Sequence, residues 1–169
     1  GEVLLDQMEP EGPFGEMYGY LGLRKEQNFV MQVNCVTARK NPWMLNQFTG
    51  ATRGFCTAPL EAFSFHRLKK LIPNAVAFHS PVERTGIGFL SILKAAPGQG
   101  LEVGKKLATL VPITKTLIVV DKDVDVLNRT EVMQAVGARW QPYPAAEIIK
   151  EARGMPLDPS APKRPMSSK

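Results

Sequence analysis

Residues 9–20 read Glu9-Pro10-Glu11-Gly12-Pro13-Phe14-Gly15-Glu16-Met17-Tyr18-Gly19-Tyr20, which places three carboxylates within eight residues. Glu11 and Glu16 bracket a Gly-Pro-Phe-Gly segment that ordinary helix does not accommodate. Proline fixes one backbone torsion and lacks an N–H, and glycine opens conformations closed to other residues. The segment predicts a shaped loop between two strands, with Phe14 as its anchor. Fully extended, the separation between the two glutamates spans roughly 17 Å. A curled loop brings them to about 6–10 Å, where two carboxyls can serve one reacting group. Taken alone, an acidic Gly/Pro loop is first of all a solvated turn, so the surrounding chain has to weigh in.

Upstream, Val3, Leu4 and Leu5 make residues 2–8 a short buried strand that delivers the loop. Downstream, Tyr18, Tyr20 and Leu23 open another strand, and the polar residues 24–28 predict a hairpin turn. Residues 29–38 alternate, with Phe29, Met31, Val33 and Cys35 on one face and Val30, Gln32, Asn34 and Val36 on the other. Pro42 pushes Asn41 away from helix and ends that strand. Residues 44–57 are polar and irregular, a loop long enough to suggest function. Arg53 and the hydroxyls there suit the lining of a substrate entrance, and suit an exposed loop without a ligand equally well.

The second half alternates strand and helix. Thr57 is placed to cap a helix over residues 59–71, in which His66 reads as a packing residue, and Pro73 stops it. Residues 75–78 and 86–95 predict strands, the second apolar on both faces as inside a covered sheet. A helix over 101–110 and a strand over 115–120 follow. A helix over 131–139 capped by Thr130 and a short helix over 147–153 complete the pattern. The expected architecture is α/β: a mostly parallel sheet flanked by helices, preceded by short antiparallel strands, with an extended Pro-rich C-terminal arm over 154–169.

Composition narrows the function. Hydrophobic residues make up 44% and charged residues 22%, a globular balance for a chain of 169 residues. No apolar run reaches the roughly 18 residues that span a bilayer, and no basic stretch followed by an apolar one is visible among the first residues given. Cys35 and Cys56 lack both metal spacing and a disulfide framework, so they read as free thiols in a reducing cytoplasm. His66 and His79 are too isolated for a metal site. The net charge of +5 is spread over short basic groups on helix faces and in the tail, which does not outline a nucleic-acid groove. Gly98, Gly100 and Gly104 precede Lys105 and Lys106, but the phosphate-binding spacing G-x-x-x-x-G-K-[ST] is not met, which counts against a stand-alone nucleotide-binding protein. Asp121, Asp123 and Asp125 alternate as cation ligands do. With Lys122 among them, a solvated loop and helix cap is the better reading.

Glu-Gly-Pro-Phe-Gly-Glu followed by Met-Tyr-Gly-Tyr resembles the signature of the UbiD-type decarboxylases. The likeness runs on through residues 29–42, through the strand 117–120 with its acidic end, and through the helix 131–139 to the proline-rich tail. Members of that family use prenylated flavin mononucleotide to remove or add a carboxyl group on aromatic or α,β-unsaturated acids. Complete members are much longer. Their N-terminal part grips the prenylated FMN, with a divalent metal and potassium, and supplies an arginine.

The resemblance therefore implies that this chain is the C-terminal half of such an enzyme, inactive by itself. Residues 1–43 would end the cofactor and active-site region, 44–153 would form an α/β oligomerisation domain, and 154–169 would be the extended arm. The implied partners are the N-terminal flavin-binding domain, further copies in a dimer or hexamer, and an aromatic or acrylic acid substrate. By the same resemblance Glu11 pairs with the absent arginine and helps hold the cofactor. Glu16 is the acid that protonates the carbon left by carbon dioxide. Arg53, Phe55 and Thr57 fall where the family lines its substrate pocket. Decarboxylation needs an electron sink that no side chain provides, so an external cofactor is required. A competing expectation is a non-catalytic assembly subunit or domain in which the carboxylates are inert.

Overall fold

The computed structural model describes residues 1–16, 18–44, 54–81, 85–111, 113–150, 152, 154, 155, 158, 160 and 161, with side chains in the first helix described at 59 and from 61 onward. Its elements are β1 (Glu2–Glu11), β2 (Lys25–Gln32), α1 (Gly54–Leu71), β3 (Ala75–His79), β4 (Ile87–Ile92), α2 (Gln99–Leu110), β5 (Thr116–Asp121) and α3 (Arg129–Arg139). A single turn, Pro142–Ala145, follows.

β1 and β2 form an antiparallel two-stranded sheet, with Val3 opposite Met31, Leu4 opposite Val30 and Met8 opposite Phe29. Two corrections follow from this register. Residues 25–28, expected as a turn, are strand, because Glu11 and Glu9 pair with Lys25 and Asn28. Residues 33–38, expected as strand, are not assigned to one: β2 ends at Gln32, opposite Glu2.

The second sheet has the order β3-β4-β5. β4 and β5 are parallel, in register from Ile87 opposite Thr116 to Ile92 opposite Asp121, and α2 makes the crossover that parallel strands require. β3 and β4 are antiparallel, with Phe78 opposite Leu90, because residues 80–86 are too short a connection for a crossover. The α/β class with antiparallel strands first is thus observed, and the sheet itself is mixed.

Helices cover both faces of this sheet. On one side Leu68 of α1, Ile72 just after it, and Val103 and Leu107 from α2 pack on Ala75, Phe78, Leu90 and Ile92. On the other, Val132 and Ala135 of α3, with Val124 and Val126, pack on Phe89. β4 is therefore apolar on both faces, and Leu90, Leu107 and Val132 are fully buried. Gly104 allows the close approach of α2 to β5: a Cβ there would stand 3.3 Å from Val119 Cγ2.

Three local expectations are corrected. α1 begins at Gly54, so Thr57 lies inside the helix rather than capping it, and Pro59 is carried within. α3 is capped by Asn128, not Thr130. Asn128 Oδ1 accepts the N–H groups of Thr130 and Glu131, and Asn128 Nδ2 donates to the Glu131 carboxylate, so Thr130 already lies inside the first turn. Residues 147–149, expected to begin a short helix, are not helical; Glu147 is instead drawn to Lys105 at 2.5 Å. Most of the Pro-rich arm lies outside the described residues, but Asp158 N donates to Met155 O and Ala161 N to Asp158 O.

Candidate active site

The acidic stretch is built as a strand end followed by a tight hairpin. Glu11 closes β1, and the Gly12–Pro13 peptide is cis. Gly15 then bridges Leu21. Glu16 N donates to Tyr20 O at 2.8 Å, Gly19 N to Glu16 O at 2.9 Å and Gly22 N to Phe14 O at 2.8 Å. Residues 18–22, expected to open a strand, serve instead as the turn and return arm of this hairpin.

The two glutamates have different surroundings. The Glu11 carboxylate is exposed and accepts a hydrogen bond from Asn28 Nδ2 on β2. Glu16 is half-buried, and its carboxylate folds over Gly22: a Cβ at Gly22 would lie 2.7 Å from Glu16 Oε1 and 2.9 Å from its Cγ. Phe14, Tyr20, Leu21 and Leu23, close to Glu16 along the hairpin, are all largely exposed. Phe14, expected as an anchor, is thus on the surface. The hairpin presents one partly shielded carboxylate among apolar side chains, a surface suited to a flat, largely apolar ring system with a reacting carbon.

What does anchor the hairpin is Tyr18. Its hydroxyl donates to Ile113 O at 3.1 Å. Its ring lies against Gly86, where φ is +94° and a Cβ would stand 3.4 Å from Tyr18 Cε1. Burial, and then the nearby Asp158 charge, push the Tyr18 phenol pKa above its usual value. The sequence reading passed over Tyr18 in this role because its partners are remote in the chain.

The other expected site residues are placed differently. Arg53 lies outside the described residues, and Phe55 and Thr57 belong to the first turns of α1 rather than to a loop, with their side chains likewise outside. His66 is exposed on α1 and lines a groove with Ala62, Phe65, Lys69 and Lys70. A second groove is lined by Thr37, Arg39, Asn41 and Trp43, and neither groove contains Glu11 or Glu16. Among the described residues no cluster of His, Cys, Asp or Glu could hold a metal ion. The alternating aspartates are taken up locally: Asp121 pairs with Lys94 at 3.0 Å, Asp123 with Arg139 at 2.6 Å, and Asp125 accepts from Leu127 N. Cys35 is a free, exposed thiol. No described helix is long and apolar enough to cross a membrane.

The chain is 32% identical to the phenolic acid decarboxylase of Sedimentibacter hydroxybenzoicus over 95% of its own length and 35% of the relative's. It is 29% identical to the phenolic acid decarboxylase of Bacillus subtilis, over 95% and 36%. Among solved structures, the UbiD-class enzyme HmfF from Pelotomaculum thermopropionicum, in complex with FMN, superposes with a TM-score of 0.81 at 27% identity, over 94% of this chain and 36% of that one. The closed form of vanillic acid decarboxylase from Sedimentibacter hydroxybenzoicus gives 0.75 at 27% identity, over 94% and 35%. The chain thus spans about a third of the length of these proteins. Residues 1–52 match the Rift-related domain of 3-octaprenyl-4-hydroxybenzoate carboxy-lyase and residues 54–169 match its C-terminal domain, and the chain belongs to this UbiD family of carboxy-lyases.

Proposed function

We propose that this chain supplies the proton-transfer part of a reversible, non-oxidative decarboxylase. It would act on aromatic or α,β-unsaturated carboxylic acids together with prenylated FMN. The observation that carries the reading is the placement of Glu16: a half-buried carboxylate seated over Gly22 on a hairpin fixed by backbone hydrogen bonds, in a chain of this family. HmfF, similar to this chain, has been solved with FMN and, in an evolved dimeric form, with prFMN.

The described residues fit a shared site better than a self-contained one. Glu11 and Glu16 offer acceptors and a proton, and the exposed Phe14 and Tyr20 offer apolar cover. The divalent metal and potassium are assigned to the N-terminal domain on the family likeness. The bound flavin would supply the electron sink for the carbanion that forms as carbon dioxide leaves. Glu16 then donates its proton to that carbon, and in carboxylation it removes one from the same position. Glu11, which accepts from Asn28 Nδ2, would help hold the cofactor and pair with the arginine contributed by the N-terminal domain. Arg53, Phe55 and Thr57 are retained as substrate-pocket positions on the family likeness alone.

The sheet of β1 and β2 supports an assembled protein. Its cross-strand pairs Val3–Met31 and Met8–Phe29 are all about half exposed or more, an apolar surface that calls for cover. We assign that cover to the N-terminal flavin-binding domain and assign homo-oligomer formation to the region 44–153. The deciding experiment loads the full-length protein with prenylated FMN and measures carbon dioxide release from a panel of aromatic and acrylic acids. Release from at least one acid is expected. Release from none, by a protein that assembles and holds flavin, would favour the assembly role instead.

A further inference from the structure

Lys115 joins two parts of the chain that the reaction scheme leaves unconnected. Its Nζ sits 4.9 Å from the centroid of the Tyr18 ring, a cation–π contact. The same Nζ is 2.7 Å from Asp158 Oδ2 and donates to Ser160 Oγ at 2.7 Å. Asp158 is only 9% exposed, and its Oδ1 accepts from both the backbone N–H and the hydroxyl of Ser160. A nearly buried carboxylate in a proline-rich arm is costly unless paired. Here it is fully engaged, and its partner cation faces the tyrosine that anchors the Glu16 hairpin. Tyr18 is two residues from Glu16, and Gly19 N and Glu16 O close the turn between them.

We propose that Lys115 and Asp158 are positioning residues for Glu16, forming a clasp through which Asp158 and Ser160 help fix the hairpin against the α/β unit. This rests on the reading of Glu16 as proton donor. Neither residue touches the reacting atoms; both act through Tyr18. Loss of the Lys115 charge removes the cation over the Tyr18 ring, and loss of the Asp158 charge removes the carboxylate that holds that cation in place; Tyr18 then relies on its hydrogen bond to Ile113 O and its packing against Gly86.

The test compares Lys115→Met and Asp158→Asn with Glu16→Gln in the full-length, cofactor-loaded protein. Amide hydrogen exchange of residues 14–22 is read alongside kcat and KM. Both clasp variants are expected to speed exchange in 14–22 while leaving β4 and β5 protected. They should lower kcat by about tenfold or more at unchanged KM, since a misplaced reacting group costs rate rather than binding. The double variant should do no more than Lys115→Met alone, because both changes break one clasp, and Lys115→Arg should restore kcat in part. If Lys115→Met also loosens β4, Asp158→Asn, which keeps the side-chain shape, decides. Unchanged exchange in 14–22, or faster exchange with unchanged kcat, overturns the proposal. Turnover retained by Glu16→Gln would remove the proton-donor reading, while the exchange data would still decide whether the clasp exists.

Discussion

The carboxylate of Glu16 occupies the space that a side chain at position 22 would need: a Cβ on Gly22 would come within 2.7 Å of Glu16 Oε1. Gly22 N is itself bonded to Phe14 O, so the backbone at this point is held and the glutamate is the part free to move. Gly22→Ala should therefore leave the fold intact and displace the carboxylate. In the full-length holoenzyme this predicts a fall in kcat of roughly a hundredfold, the usual scale for a misplacement of about 1 Å. Unchanged turnover would mean that the carboxylate position seen here is not the working one.

Glu11 depends on Asn28, its hydrogen-bond donor across the β1–β2 sheet. Asn28→Asp would set a like charge against Glu11, which repels rather than donates. Cofactor retention should weaken, read as flavin lost on gel filtration of the full-length protein, while Asn28→Gln should retain more.

The Asp158 carboxyl gives a pH prediction. Burial acts to raise its pKa, but the hydrogen bonds from Lys115 and Ser160 and the Lys115 charge outweigh burial and hold it below the ordinary value. A carboxyl with a depressed folded-state pKa contributes stability above its unfolded value, and that contribution is lost as pH falls through the folded value. The arm should thus stay docked at neutral pH and release only below the ordinary aspartate range of about 3.9. The chemical shift of the Ser160 amide, which donates to Asp158, reports this directly. Lys115→Met should move its midpoint upward, since burial then acts with only the Ser160 bonds against it.

Two substitutions test the account of the α/β unit. Leu107 is fully buried between α2 and the sheet, and Leu107→Ala should cost about 2–5 kcal/mol in denaturant unfolding. Asn128→Ala removes the α3 cap and should cost about 1 kcal/mol.

Local pattern made much of this fold readable. The doubly apolar β4, the short β5 and the amphipathic α2 each follow from their own residues, and the motif around Glu11 and Glu16 led to the family. What local pattern did not carry was set by pairing. β2 starts at Lys25 because Glu11 faces it, and its last pair is Gln32 with Glu2. Thr130 offers a side chain as able to cap as that of Asn128, and the two are separated by where the helix starts, which lets Asn128 Oδ1 accept the N–H groups of Thr130 and Glu131. Tyr18 and Ile113 are 95 residues apart, so nothing near either one announces their contact. The clasp between Lys115 and Asp158 is hidden for the same reason.

The central claim is that Glu16 moves the proton. The most direct measurement is steady-state carbon dioxide release by the full-length, prenylated-FMN-loaded protein carrying Glu16→Gln, with flavin content and oligomeric state checked alongside. The account predicts turnover abolished in a protein that still assembles and still holds its flavin. Turnover near the wild-type rate in that variant would contradict it.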